Sequence, residues 1–150
     1  MLFRSAREPY PVPVSQAIEI VAHRGASEDE PEHSLAAYLL AVKQGADAIE
    51  CDVRLTRDGQ LVCHHDRNIN RTSTGRAVVS ASTLDELEQH DFSMGRAGDD
   101  PSMHVMRSKV LTLRSLIEAM LEASPRIGFA IETKHPVRYG GDVEIGRAHV

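Results

Sequence analysis

Short apolar runs that end in charged or imidazole side chains alternate along this chain with segments whose apolar residues recur at helical spacing. Residues 1–17 are proline-rich and predict an irregular segment, after which Ile18-Glu-Ile-Val-Ala22 reads as a strand ending in His23-Arg24-Gly25. Ser34 is placed to cap a helix whose Leu35, Tyr38, Leu39 and Val42 share one face, with Gly45 at its carboxyl end. Ala48 to Val53 predicts a second strand and, after the Asp58-Gly59 turn signal, Leu61 to His64 a third. Thr83-Leu-Asp-Glu86 has capping-box spacing and opens a short helix to about His90. From Thr112, Leu113, Leu116, Ile117, Met120 and Leu121 recur as the buried face of a helix that Pro125 ends. Ile127 to Lys134 completes the pattern as a fourth strand.

Short apolar strands separated by helices predict an α/β fold with a parallel sheet covered on both faces, in which functional groups gather at the carboxyl ends of the strands. All four predicted strands end in such groups. Residues 91–109 show no apolar period and are expected to form a mobile cover near the site.

Composition narrows the function. With 150 residues, 41% hydrophobic and 26% charged, the chain has the make-up of one globular domain. No apolar run approaches the ~20 residues that span a bilayer, and no leader-like apolar stretch precedes the first prolines, so stable membrane insertion and secretion are not expected. A net charge of −5 argues against nucleic acid as a partner and leaves a small anionic substrate open. Cys51 and Cys63 are too few for a disulfide scaffold and read as buried thiols, which points to the cytoplasm.

Strand alternation puts Glu50 and Asp52 on one face, and Glu132 and Lys134 on one face of the last strand. Three carboxylates at one sheet end repel one another unless a cation lies among them, and an all-oxygen set suits Mg2+ or Ca2+ better than zinc. His23 and His65 end two further strands, where a pair of imidazoles can act as base and acid; Arg24 and Lys134 would add positive charge for a phosphoryl group. Each feature alone has a plainer reading: Glu-x-Asp as a solvated face or ion pair, His-Arg-Gly as a turn. A zinc site at Cys63-His64-His65 is disfavoured because adjacent strand residues point to opposite faces. His33, His90, His104 and His135 read as surface residues.

Taken in order, Val21-Ala-His-Arg-Gly-Ala26, Pro31-Glu-His-Ser34, Glu50-Cys-Asp-Val53, Thr56-Arg-Asp-Gly59, His65-Asp66, Arg71-Thr72 and Ile131-Glu-Thr-Lys134 resemble the glycerophosphodiester phosphodiesterase family. The resemblance implies a TIM (β/α)8 barrel and metal-dependent hydrolysis of a glycerophosphodiester to sn-glycerol 3-phosphate and an alcohol. It further implies that His23 and His65 are the acid and base, that Glu50, Asp52 and Glu132 hold the cation, and that Arg24 and Lys134 bind phosphate. The pattern departs at His33, where the family commonly carries Asn, a change expected to touch loop hydrogen bonding and no catalytic group. A phospholipase D of the sphingomyelinase type shares the barrel and histidine pair and is the alternative chemistry, although such enzymes are usually secreted and disulfide-bonded. A catalytically inactive fragment is the alternative of another class.

A complete barrel has eight strands and about 250 residues, so the predicted strands make only its N-terminal half, over residues 18–144. Residues 145–150 have no counterpart in the family pattern and match one reading frame of a common sequencing adapter, so they read as a non-native tail. The expected structure is an open half barrel, prone to association and with little turnover by itself.

Overall fold

The computed structural model describes residues 18–96 and 100–134. Its strands are β1 (Val21–His23), β2 (Ala48–Leu55), β3 (Leu61–Cys63) and β4 (Gly128–Thr133). Helix α1 (Leu35–Lys43) joins β1 to β2, while α2 (Leu84–Leu87), α3 (Pro101–Ser108) and α4 (Leu113–Ala123) lie between β3 and β4. The expected irregular segment 1–17, the tail 145–150 and His135 lie outside the described residues.

Local chemistry sets the element ends. Ser34 accepts a hydrogen bond from the Ala37 amide and Thr112 one from the Ser115 amide, each satisfying an orphan donor of a first turn. Thr83 and Glu86 close the expected capping box, although α2 ends at Leu87 rather than near His90. In α1 the deepest side chains are Ala36, Ala37, Tyr38 and Ala41; the larger Leu35, Leu39 and Val42 are only partly buried. The helix thus turns its small residues toward the β1–α1 loop. There Gly25 has φ +83° and would bring a Cβ to within 2.7 Å of Ala37, so no side chain fits.

Strands β1 and β4 pair in parallel with opposite edges of β2, with His23 opposite Glu50 and Asp52 opposite Glu132. One face of the sheet carries Ile49, Cys51 and Val53, which pack with Tyr38, Leu113, Leu116 and Met120 into the main core. Both cysteines are buried free thiols, as expected. The other face carries Val21, His23, Glu50, Asp52, Ala130 and Glu132 and stays open in part, with Val21 45% exposed.

Two expectations need correction. Strand β3 is antiparallel to β2, with Cys63 opposite Val53, so three strands and not four are parallel. Only residues 56–60 separate the two strands, and so short a link closes a hairpin but cannot cross back for parallel pairing. Because the hairpin folds back, the carboxyl end of β3 still arrives at the functional end, where the His64 amide donates to the Asp52 carbonyl at 2.9 Å. The second correction concerns residues 91–109, which contain α3 instead of an irregular cover. Asp100 caps the helix, Pro101 occupies its first turn, and Arg107 makes a two-pronged ion pair with the nearly buried Glu30 at 2.5 and 2.6 Å. Phe92 joins a second core with Val62, Ile69, Val79, Leu87 and Val110. Among the described residues no helix is long and apolar enough to cross a membrane.

Candidate active site

Side chains alternate along β2, so Glu50, Asp52 and Arg54 rise from one face, and the register with β4 puts Glu132 beside Asp52. Carboxylate oxygens of Glu50, Asp52 and Glu132 lie within 4.8 Å of one another. Asp52 is 1% exposed and Glu132 59%, so the group opens from a buried floor to solvent.

Positive charge surrounds the floor. Arg24 Nε stands 3.1 Å from Asp52 Oδ2, and Lys134 Nζ stands 2.9 Å from Oδ1 and 2.5 Å from Glu132 Oε1. Burial alone would raise the Asp52 carboxyl, but the His33 hydrogen bond and the Lys134 ammonium outweigh it and hold the group well below the usual carboxylate range. Lys134, whose burial pulls the other way, is held above the ordinary lysine value by Glu132 and Asp52. The backbone contributes as well: the Arg24 amide donates to both the carbonyl and Oε2 of Glu50, each at 3.1 Å. Arg24 adopts φ +58° to do so, a left-handed conformation that costs a non-glycine residue about 1 kcal/mol or more.

The two histidines differ in setting. His23 is 68% exposed, and its Nε2 lies 3.8 Å from Glu50 Oε2. His65 Nδ1 lies 2.7 Å from Asp66 Oδ1, so in the neutral ring the proton sits on Nδ1 and Nε2 keeps a lone pair. Arg71 bonds Asp66 at 2.8 Å and grips Glu32 with two bonds of 2.7 Å, and Glu32 meets Arg24 at 3.4 Å. His65 is thereby joined to the carboxylate group through a run of alternating charges. The Arg71 guanidinium, helped by His65, depresses the Asp66 carboxyl far below its ordinary value.

Sequence reasoning assigned no role to Asp66, Arg71, Glu32, Arg54 or His33. Arg54 is buried, and its Nε and Nη2 both donate to the His65 carbonyl, Nε at 2.8 Å. The Glu-x-Asp-x-Arg alternation on β2 was its available signal. His33 corrects an expectation: it is 4% exposed, not a surface residue, and its Nε2 lies 3.1 Å from Asp52 Oδ2. The loop bends inward at His33 with φ +59°, which hydropathy patterning does not register. His90 and His104 are half-buried rather than fully at the surface.

His64, on the opposite side of the chain from His65, is buried against Phe92 and meets the Asn68 carbonyl through Nε2 at 3.1 Å. Burial pulls its pKa from 6.5 down to about 4, with His33 and Arg54 adding to the shift and the Asn68 carbonyl and Asp66 opposing it. Between these values the unfolded chain binds a proton that the folded chain refuses, so stability rises with pH through this window and falls on acidification below 6.5. Urea unfolding is expected to show a loss of about 2 kcal/mol from pH 7 to pH 5, and His64→Gln should flatten that slope. An unchanged slope in the variant would assign the proton to another group.

An all-carboxylate trio is the donor set of a hard divalent cation. Asp52 Oδ1 is buried against the Lys134 ammonium at 2.9 Å, and as a carboxylate oxygen it has a second lone pair for such an ion. The residues present fit the group.

Known proteins resemble this chain in sequence and in fold. A "Probable glycerophosphodiester phosphodiesterase 1" of Mycobacterium tuberculosis is 50% identical over 125 residues, covering 83% of this chain and 46% of that protein. Human "Glycerophosphodiester phosphodiesterase 1" is 30% identical over 136 residues, covering 81% and 39%. A phosphodiesterase of Oleispira antarctica, solved with the product sn-glycerol-3-phosphate, is 32% identical with a TM-score of 0.67, covering 80% of this chain and 46% of that one. Glycerophosphodiester phosphodiesterase from Agrobacterium tumefaciens is also 32% identical, with a TM-score of 0.68 and coverage of 86% and 53%. The chain therefore spans about half the length of these relatives, and its three parallel strands with the β3 hairpin are part of a TIM barrel. The model of the glycerophosphoryl diester phosphodiesterase family matches residues 23–149, which takes in most of the 145–150 segment expected to lack a counterpart in the family pattern, and the chain belongs to that family.

Proposed function

We propose that the full-length protein carrying this sequence hydrolyses glycerophosphodiesters to sn-glycerol 3-phosphate and an alcohol, with a divalent cation. The observation that carries the reading is the carboxylate trio of Glu50, Asp52 and Glu132 with His23 beside it and the Asp66-oriented His65 linked to it through Arg71, Glu32 and Arg24. The Oleispira relative, in complex with sn-glycerol-3-phosphate, supports the substrate class.

In this reading Glu50, Asp52 and Glu132 hold Mg2+ or Ca2+, which when bound offsets charge on phosphate oxygens. Arg24 and Lys134 bind the phosphate. His65 Nε2 takes the proton of a glycerol hydroxyl as its oxygen bonds to phosphorus, and His23 gives a proton to the departing alcohol as the P–O bond breaks. The cyclic phosphate opens in reverse order: neutral His23 takes a proton from the attacking water, and protonated His65 returns its own to the glycerol oxygen. Buried free thiols and the acidic net charge support a cytoplasmic enzyme with a small-molecule partner.

The test is release of sn-glycerol 3-phosphate from glycerophosphocholine, measured on this chain and on its full-length form. Turnover is expected in the full-length form, to vanish in chelator and to return with Mg2+ or Ca2+. Full activity after exhaustive chelation would remove the cation from the reading, and cleavage of sphingomyelin instead would favour the phospholipase D alternative.

A further inference from the structure

Asp52 Oδ2 is an acceptor, so the nitrogen facing it, His33 Nε2 at 3.1 Å, carries the proton. In the neutral ring Nδ1 is then an acceptor, and its partner at 2.8 Å is the hydroxyl of Tyr38. That hydroxyl has one proton and two acceptors within reach, His33 Nδ1 and the Glu50 carbonyl at 3.2 Å, and the shorter contact is to the imidazole. Tyr38 is fully buried in α1 and His33 almost so, which keeps bulk solvent from either partner. The result is a directional run from the main core to the site, Tyr38 to His33 to Asp52.

We propose that Tyr38 and His33 are positioning residues that lock the Asp52 carboxylate with Oδ2 turned inward and Oδ1 presented to the cation. Arg24 Nε adds a charge 3.1 Å from Oδ2 but makes no directed hydrogen bond to it. The imidazole, with its proton fixed by the tyrosine, supplies a directed hydrogen bond to Oδ2, while Lys134 Nζ lies on the Oδ1 side at 2.9 Å. Groups that orient a ligating carboxylate in this way typically change metal affinity by about 10–100-fold when removed. The inference rests on the cation reading above.

Mn2+ is the probe, titrated into the full-length protein and followed by electron paramagnetic resonance. Tyr38→Phe removes one hydroxyl and keeps the core volume; His33→Asn tolerates the left-handed backbone but is too short to reach Asp52. Each is expected to weaken Mn2+ binding about tenfold or more. The double variant should bind no more weakly than His33→Asn, because the hydroxyl acts only through the ring. Saturating Mn2+ should bring kcat of Tyr38→Phe back to the wild-type value. Wild-type affinity in folded Tyr38→Phe and His33→Asn, or additive losses in the double variant, would overturn the proposal alone. A wild-type protein that binds no Mn2+ would overturn the cation reading and this proposal with it.

Discussion

His65→Ala in the full-length protein is expected to lower kcat for glycerophosphocholine by ~100-fold or more, and His23→Ala by a similar factor, as is usual for loss of a general acid or base. The reason lies in their surroundings rather than in their being histidines. His65 has its Nδ1 proton held by Asp66 and its carbonyl held by Arg54, so its Nε2 lone pair is aimed by two independent restraints. His23 sits across from Glu50 in the paired register, beside the carboxylate trio. His64 is the internal control. It is buried, bonds the Asn68 carbonyl and faces the second core, so His64→Ala should lower stability while the folded fraction keeps kcat within a few-fold of wild type. Steady-state kinetics on the three variants, normalised to the folded fraction, decide the matter. A His64→Ala variant that loses as much kcat as His65→Ala would reverse the assignment of the two neighbouring imidazoles.

What could be read from the sequence follows a physical division. The caps at Ser34 and Thr83 were legible because a cap is a local event, one side-chain oxygen meeting an amide three residues ahead, whereas α4 was legible from its apolar period and its Thr112 cap was not read. The carboxylate trio was legible because strand alternation fixes the faces of Glu50 and Asp52 and parallel pairing brings in Glu132. Strand direction was not read correctly for β3, although the short link over residues 56–60 already demanded a hairpin. Helix α3 carried the Asp100-Pro101 start signal, but its polar sequence gave no apolar stripe to confirm it. His33 escaped for a different reason: its burial depends on a left-handed backbone and on Tyr38 and Asp52 at separations that no helix or strand period generates. The same holds for the Arg71 grip on Glu32 and the Arg107 grip on Glu30, contacts made across loops by chain folding alone.

Asp52→Asn is expected to be the most damaging single change to the site, because it strikes charge balance, ligation and orientation together. The carboxylate faces Arg24 Nε, Lys134 Nζ and His33 Nε2, all of them donors, and an amide offers one acceptor oxygen where two stood. Its NH2 group would point a donor at another donor whichever way it turns. Removing one partner from a buried ion pair costs about 3–5 kcal/mol; the lower end applies here, since Arg24 and Lys134 keep 18% exposure and can partly rehydrate. The carboxyl's depressed pKa works in the same direction. Asp52 contributes stability above the ordinary carboxylate value of 3.8, and that contribution is lost only as pH falls below it, so at pH 7 the variant loses all of it. Metal binding should fall with it, because Oδ1 is the buried member of the trio. Urea unfolding at pH 7 and Mn2+ titration of the same sample measure the two losses separately. Asp52→Asn that unfolds at the wild-type urea concentration and binds Mn2+ with wild-type affinity would show that neither the ion cluster nor the trio depends on this carboxylate.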